Sequence, residues 1–280
     1  WPNAFSSSTA AWVMAWQKTA CVLCGNGCGL EVQVEGNRIV KVRSDQGSPI
    51  SEGYVCRKGA HVAYHQHDAD RLLYPLKRVG DGFERVSWDQ ALSEIAARLR
   101  AILDEHGPRA LASLNGGGEF SFLSAPYLVR LMRRLGSRYN YSAASQEFSG
   151  RYWAHGHLFG NQAIHLAADF DNTDMLMLVG KNPMQSHHLP QARRTLRRMS
   201  RDPERLLVVV DPRRTETAEL ADIHLALRPG TDALLLKAMI ALILEEGLYD
   251  REYLAQHTAG FEEILPWFAD FDVRGALAVC

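Results

Sequence analysis

The sequence predicts an α/β chain, with a small β-rich domain followed by α/β layers that contain parallel strands. Three observations carry this expectation. Cys21, Cys24 and Cys28 crowd one glycine-rich turn, and a fourth cysteine, Cys56, arrives after a strand pattern. Two apolar runs, 174–179 and 205–210, flank a helix-like basic segment at 189–200, which reads as a βαβ unit with buried parallel strands. Both runs end in polar loops, where sheets of this kind bind ligands.

The cysteine spacing is C-x2-C-x3-C-x27-C. Four thiolates hold either a zinc ion or an iron–sulfur cluster. Zinc sites usually present two separated C-x2-C pairs. Three cysteines in one loop and a distant fourth favour a [4Fe–4S] cubane, with zinc as the alternative and disulfides or free thiols behind both. Gly25, Gly27 and Gly29 let the loop fold back and bring backbone N–H groups near the sulfurs. Cys280 stands apart from this set. Residues 30–34 alternate apolar and polar, Gly36-Asn37 follows, and 39–43 alternate again, which predicts a hairpin that shields the cluster. Residues 1–18 show no period and are expected to be a leader or loose tail.

A chain of 280 residues holds one large domain or two medium ones. Its 46% hydrophobic and 22% charged content is ordinary for a globular protein. A net charge of −1 offers no footprint for a nucleic-acid partner. No apolar run approaches the ~18 residues that span a membrane. Clustered cysteines argue for metal ligation over a secreted disulfide scaffold. Arg193, Arg194, Arg197 and Arg198 form a basic run, read as a solvated helix face, with a phosphate or partner contact as the alternative.

Ser87 and Gln90 form a capping-box pattern. The helix behind it runs to about 102, with Ala91, Leu92, Ile95, Ala96, Leu99 and Ile102 on one face. Residues 110–114 read as a strand that enters Asn115-Gly116-Gly117-Gly118 before a helical pattern resumes. Strand, glycine turn and helix let backbone N–H groups approach a phosphate, although three glycines also make a plain tight turn. At the ends of the two apolar runs, Gly180 permits close backbone approach, Asn182 before Pro183 supplies an amide, and Asp211 accepts ribose or guanine N–H groups. Arg213 and Thr215 suit phosphate or neighbouring polar atoms. A further helix is expected over 233–246, and more helices over 248–280.

These motifs together resemble the molybdopterin oxidoreductase superfamily, which includes formate dehydrogenases, nitrate reductases and sulfoxide reductases. The resemblance rests on the cysteine spacing, Cys56-Arg57-Lys58-Gly59 as C-x-K-G, G-x-N-P at 180–183, D-P-R-x-T at 211–215, and A-D-x-x-L-x-x-R-P-G-T-D at 221–232. It implies a [4Fe–4S] domain over 15–72, the first part of an α/β domain over 73–136, and a Rossmann-like nucleotide-binding domain over 137–280. It implies Mo or W carried by bis-molybdopterin guanine dinucleotide, and oxygen-atom transfer or dehydrogenation. Cys21, Cys24, Cys28 and Cys56 would hold the cluster. Lys58 would lie between cluster and pterin, the plain alternative being an exposed lysine. Gly117 would lie beside the pterin. Asn182, Asp211 and the turn of Arg228, Pro229, Gly230 and Asp232 would hold nucleotide.

In the superfamily the region matching 140–160 supplies the protein ligand to the metal. Here it contains no Cys and no Asp, but offers Ser142, Ser145, Glu147 and Ser149. A soft thiolate is excluded, and a hard oxygen ligand or none remains, with Ser145 and Glu147 as the leading candidates. His155 and His157 are read as proton carriers or as structural residues. The expected partners are a small-molecule substrate and an electron-transfer protein or subunit, in a cytoplasmic setting with a periplasmic one left open. The chain starts at Trp1 and is much shorter than such catalytic subunits, so it reads as an N-terminal fragment, inactive alone. A non-catalytic electron-relay subunit, like the large iron–sulfur subunit of respiratory complex I, is the first alternative. A zinc-binding interaction module is the second.

Overall fold

The computed structural model describes residues 15–115, 125–164, 166, 168–186, 189 and 191–280. Gly117, expected beside the pterin, lies outside the described residues. The chain divides into two compact units, Trp1–Ala167 and Ala168–Cys280.

The first unit opens on an antiparallel sheet of β1 (Gln17–Ala20), β2 (Gly29–Glu35) and β3 (Arg38–Ser44), in that order. β2 and β3 are the expected hairpin, with a register shift between Gln33 and Val34. β1 corrects the end of the loose tail expected over 1–18, of which residues 1–14 lie outside the described residues. Backbone pairing of Gln17 with Val32 and of Ala20 with Gly29 orders a segment whose side chains are all exposed. Leu30 is turned inward and packs with Cys21 and Cys28, with Val42, Val55 and Val62 around them. The loop after β3 braces this core. Asp45 N–H donates to the Gly29 carbonyl at 3.1 Å, Gly29 N–H donates to Ser51 Oγ at 3.0 Å, and Lys18 Nζ donates to Asp45 at 3.0 Å. That last bond is the main reason the Asp45 carboxyl lies below its ordinary range. Two short helices follow, α1 (Arg57–Ala60) and α2 (Val62–Gln66). Just beyond them His67 Nε2 accepts Ile39 N–H at 2.8 Å, tying the segment to β3.

A second hairpin, β4 (Leu76–Val79) with β5 (Gly82–Arg85), leads into α3 (Trp88–His106). Ser87 Oγ caps α3 by accepting Gln90 N–H at 3.1 Å. The reciprocal half of the capping box is absent among the described residues, and the Gln90 side-chain amide donates to Glu94 at 3.0 Å. The apolar stripe that predicts this helix stays open: Leu92 is 58% exposed and Ile95 54%. Next, β6 (Ala112–Asn115), α4 (Ala125–Arg134) and β7 (Tyr139–Ser142) make a βαβ unit with parallel strands, Ala112 opposite Tyr139. Ser113 Oγ and Asn115 Nδ2 both donate to Asn140 Oδ1, at 2.6 and 2.7 Å. α5 (Ala144–Glu147) and α6 (Ser149–Phe159) follow.

The second unit is built on β8 (Met175–Val179), α7 (Pro183–Ser186), α8 (Ala192–Met199), β9 (Leu206–Val210) and β10 (Ile223–Leu225). The strands are parallel in the order β10–β9–β8, with Leu176 opposite Leu207 and Ile223 opposite Val208. β9 is central and buried on both faces from Leu207 to Val210, as a continuous apolar run predicts. Leu176, Leu178, Leu207 and Val209 pack with Ala192, Leu196 and Met199 of α8. The arginine run is largely the outer face of α8, although Arg193 Nε donates to the Met184 carbonyl at 3.1 Å and Arg198 pairs with Asp171. Leu207 N–H donates to Asp222 Oδ2 at 2.7 Å, fixing the entry to β10. α9 (Asp232–Glu245) follows, then α10 (Arg251–His257), α11 (Phe261–Ile264), α12 (Pro266–Ala269) and α13 (Val273–Val279), which packs back on α9.

These burials give opposite expectations for two leucines. Leu196→Ala, at a fully buried site, destabilises the chain by about 2–5 kcal/mol. Leu92→Ala, on the open stripe of α3, costs less than about 0.5 kcal/mol. Urea unfolding followed by circular dichroism measures both. Equal losses would show that the stripe is packed.

Candidate functional site

β1 delivers Cys21 to the start of a tight loop, and β2 departs just after Cys28. The loop closes through Cys21 N–H donating to the Cys28 carbonyl at 2.8 Å. Gly27 turns it at φ +56°, a left-handed conformation that side chains resist. Cys56 enters from the N-cap position of α1. All four cysteines are free and line one cavity together with Tyr54, Val55, Lys58 and Gly59. Gly59 lets α1 approach: an added Cβ would stand 2.8 Å from Val55 Cγ2 and 3.4 Å from Cys21 Sγ.

The electrostatics of the cavity follow from burial. Desolvation first, then the neighbouring Cys24, Cys56 and Cys21, push the Cys28 thiol up to about 11. Cys21 is raised for the same leading reason, while the Leu23 N–H and the Lys58 charge pull it the other way. Four thiols around one cavity suit a cluster whose four irons take one thiolate each. The donor set therefore fits a [4Fe–4S] cluster.

The segment expected to reach the catalytic metal forms the end of β7, α5 and α6. Ser145 and Glu147 are both exposed on α5, and Ser145 Oγ donates to the Ser142 carbonyl at 2.9 Å. His155 is buried on α6, and its Nδ1 donates to the Ile164 carbonyl at 2.7 Å, as in a structural histidine. His157 lies against the Trp153 ring at 4.3 Å.

The remaining predicted residues gather at the carboxyl ends of the parallel strands in the second unit. Gly180 leaves β8 at φ +60°, with its N–H donating to the Val210 carbonyl at 2.8 Å. Asn182 then precedes Pro183, which is buried at the start of α7. Asp211 leaves β9 and is held from two sides. Its N–H donates to the Leu225 carbonyl at 3.1 Å, and its own carbonyl accepts His224 Nε2 at 2.9 Å. Asp211 Oδ1 accepts Arg213 N–H at 2.9 Å; Oδ2 has no partner among the described residues. After β10, Arg228, Pro229, Gly230 and Asp232 are exposed around a turn that Thr231 Oγ1 closes on the Arg228 carbonyl at 2.7 Å. Of the two roles expected for Thr215, phosphate or neighbouring polar atoms, the geometry displays a neighbouring one: it is buried, and its Oγ1 accepts Ala218 N–H at 3.2 Å within its own loop.

Sequence reasoning missed Glu216, Thr217 and Gln185. Asn182 Nδ2 donates to Glu216 Oε2 at 2.8 Å, and its Oδ1 accepts Thr217 Oγ1 at 2.6 Å. Gln185 Nε2 donates to Glu216 Oε1 at 2.8 Å. The bond from Asn182 is the leading cause that holds the Glu216 carboxyl at about 2. The only signal in the sequence was the continuation of D-P-R-R-T into Glu-Thr, next to the loop already singled out.

Comparison with known proteins covers both units. A family model described as molybdopterin oxidoreductase matches residues 71–263, and one described as molybdopterin oxidoreductase Fe4S4 domain matches 14–68. The chain is 32% identical over 247 residues to a nitrate reductase of Symbiobacterium thermophilum, covering 87% of this chain and 32% of that protein. It is 33% identical over 262 residues to formate dehydrogenase H of Escherichia coli, covering 88% and 35%. Among solved structures, acetylene hydratase from Pelobacter acetylenicus superposes with a TM-score of 0.73 at 30% identity, covering 94% of this chain and 36% of that one. The chain thus spans about a third of the length of the relatives it matches. Motifs, fold and matched residues agree that this chain belongs to the molybdopterin oxidoreductase family, of which it spans the Fe4S4 domain and the adjoining part of the catalytic-subunit domain.

Proposed function

We propose that the chain supplies the cluster domain and one nucleotide-binding wall of a molybdenum or tungsten oxidoreductase that carries bis-molybdopterin guanine dinucleotide. The observation that carries this reading is the convergence of the 180–183, 211–215 and 228–232 motifs on one edge of a parallel sheet, in a chain whose four spaced cysteines surround one cavity. When bound, the metallopterin supplies the two-electron chemistry of oxygen-atom transfer or dehydrogenation, and the protein sets position and potential. Cys21, Cys24, Cys28 and Cys56 hold the [4Fe–4S] cluster. Lys58, exposed on α1 and lining the same cavity, stands on the electron path out of it. Asp211 offers a carboxylate oxygen to guanine or ribose, and the exposed Arg228 turn faces the same end of the sheet. Ser145 or Glu147 supplies a hard oxygen to the metal.

Similarity of about 30–33% identity to a nitrate reductase, a formate dehydrogenase and an acetylene hydratase alike supports a shared cofactor scaffold rather than any one substrate. The substrate is a small molecule, and the electron partner a separate protein or subunit.

Metal analysis and EPR of the anaerobically purified full-length protein test this reading. About four irons with Mo or W are expected; zinc without iron would overturn the cluster, and iron without Mo or W in cofactor-replete cells would favour an electron-relay subunit. Cys56→Ser should lower iron content and alter the reduced-cluster signal. Lys58→Met should leave iron and Mo or W in place while slowing electron exchange between substrate and cluster in whichever direction the enzyme runs, and unchanged kinetics would remove Lys58 from the path. Ser145→Ala and Glu147→Gln are expected to differ, with the variant that removes the ligand changing the metal's EPR signal. If neither does, the metal takes no protein ligand from α5.

A further inference from the structure

The polar network around Asn182 has a consequence for how the nucleotide edge is built. Asn182 lies in the loop after β8, and Glu216 and Thr217 lie in the loop after β9. Thr217 is fully buried, and its hydroxyl does two things: it donates to Asn182 Oδ1 at 2.6 Å and accepts Met184 N–H at 3.2 Å. Glu216 is exposed but committed, because each carboxylate oxygen accepts one amide, from Asn182 and from Gln185. The depressed Glu216 carboxyl is the counterpart of that commitment. The Asn182 backbone carbonyl meanwhile accepts Gln185 and Ser186 N–H groups at 3.0 and 2.9 Å, so the residue is fixed at both main chain and side chain.

A carboxamide has two N–H donors and two acceptor lone pairs. Glu216 takes one donor and Thr217 one lone pair. An acid on one side and a hydroxyl proton on the other also forbid the flipped amide, which would set N–H against O–H and oxygen against carboxylate. One N–H and one lone pair of Asn182 remain, in a fixed orientation.

We propose that Glu216 and Thr217 are positioning residues that act through Asn182, locking the loops after β8 and β9 together and presenting its remaining N–H and lone pair to a guanine nucleotide. This rests on the reading of these strand ends as the dinucleotide edge. Glu216 itself does not touch the nucleotide, and Asp211 is the carboxylate left to do so.

The test is calorimetric titration of the chain with GDP, with thermal unfolding of each variant recorded beside it. The parent binds GDP and Asp211→Ala weakens it; if the parent does not bind, or Asp211→Ala binds equally well, the nucleotide reading fails and the inference with it. Given that binding, Thr217→Val and Glu216→Gln each weaken GDP by up to about tenfold, the scale of one lost hydrogen bond. Thr217→Ser, which keeps the hydroxyl, stays within about threefold of the parent. In an Asn182→Ala background neither Thr217→Val nor Glu216→Gln weakens binding further, since residues that act through Asn182 are not additive with it. Should Thr217→Val fail to fold, the exposed Glu216→Gln carries the same comparison. Full additivity in the Asn182→Ala background, or parent-like binding of Glu216→Gln, overturns the inference while leaving the nucleotide reading in place.

Discussion

A parallel sheet with a doubly buried central strand is the constraint on which the second unit depends. Because β8, β9 and β10 all run the same way, their carboxyl ends emerge on one edge. The three polar motifs lie far apart in sequence, yet each follows a strand within three residues, so the sheet brings them to its carboxyl end. The cost of burying β9 is met by apolar side chains on both faces, by backbone pairing to both neighbours and by the Asp222 carboxylate, which takes the Leu207 N–H. Polar side chains of the three motifs follow the strand ends, where Gly180 and Asp211 N–H groups still bond to the neighbouring strands.

The cluster domain solves a different problem with different means. Its core is small, and two of its cysteines form part of it. Order comes from backbone pairing of β1 to β2, from the loop that folds Asp45 and Ser51 onto Gly29, and from a glycine that lets α1 reach Cys21. Two of the residues that would bind iron, Cys21 and Cys28, are thus also residues that pack. Ligand geometry and domain stability cannot be varied separately here, which is consistent with a site whose sulfurs are half enclosed rather than displayed.

Much of this was legible in the sequence because the signals are local or chemically rare. Four cysteines at set spacing, two unbroken apolar runs and a turn at Gly36-Asn37 announce the cluster loop, the parallel strands and the hairpin. What escaped had no local signal. β1 is polar and exposed, so nothing but its pairing partner marks it as a strand. Asn182 reads as a free amide until Glu216 and Thr217, which follow a whole crossover later, are folded beside it. Thr215 reads as suiting phosphate or neighbouring polar atoms alike until the fold sets its hydroxyl against Ala218 N–H. The stripe on α3 was correctly read as helical, but periodicity specifies a helix and not what covers it.

One property of the first unit bears on when the protein acquires its shape. The hydrogen bonds described for the cluster domain join Lys18 to Asp45, Cys21 to Cys28, Gly29 to Ser51 and Ile39 to His67, all within residues 17–67. None waits for a residue made later. On a ribosome that adds roughly 5–20 residues per second, a domain closed in this way folds while the rest of the chain is still being made. The sheet of the second unit has no such head start: β8 finds β9 only after the intervening α8 segment has been synthesised, and β10 comes later still. The order of synthesis therefore completes the segment that carries all four clustered thiols before the strand ends of the second unit exist.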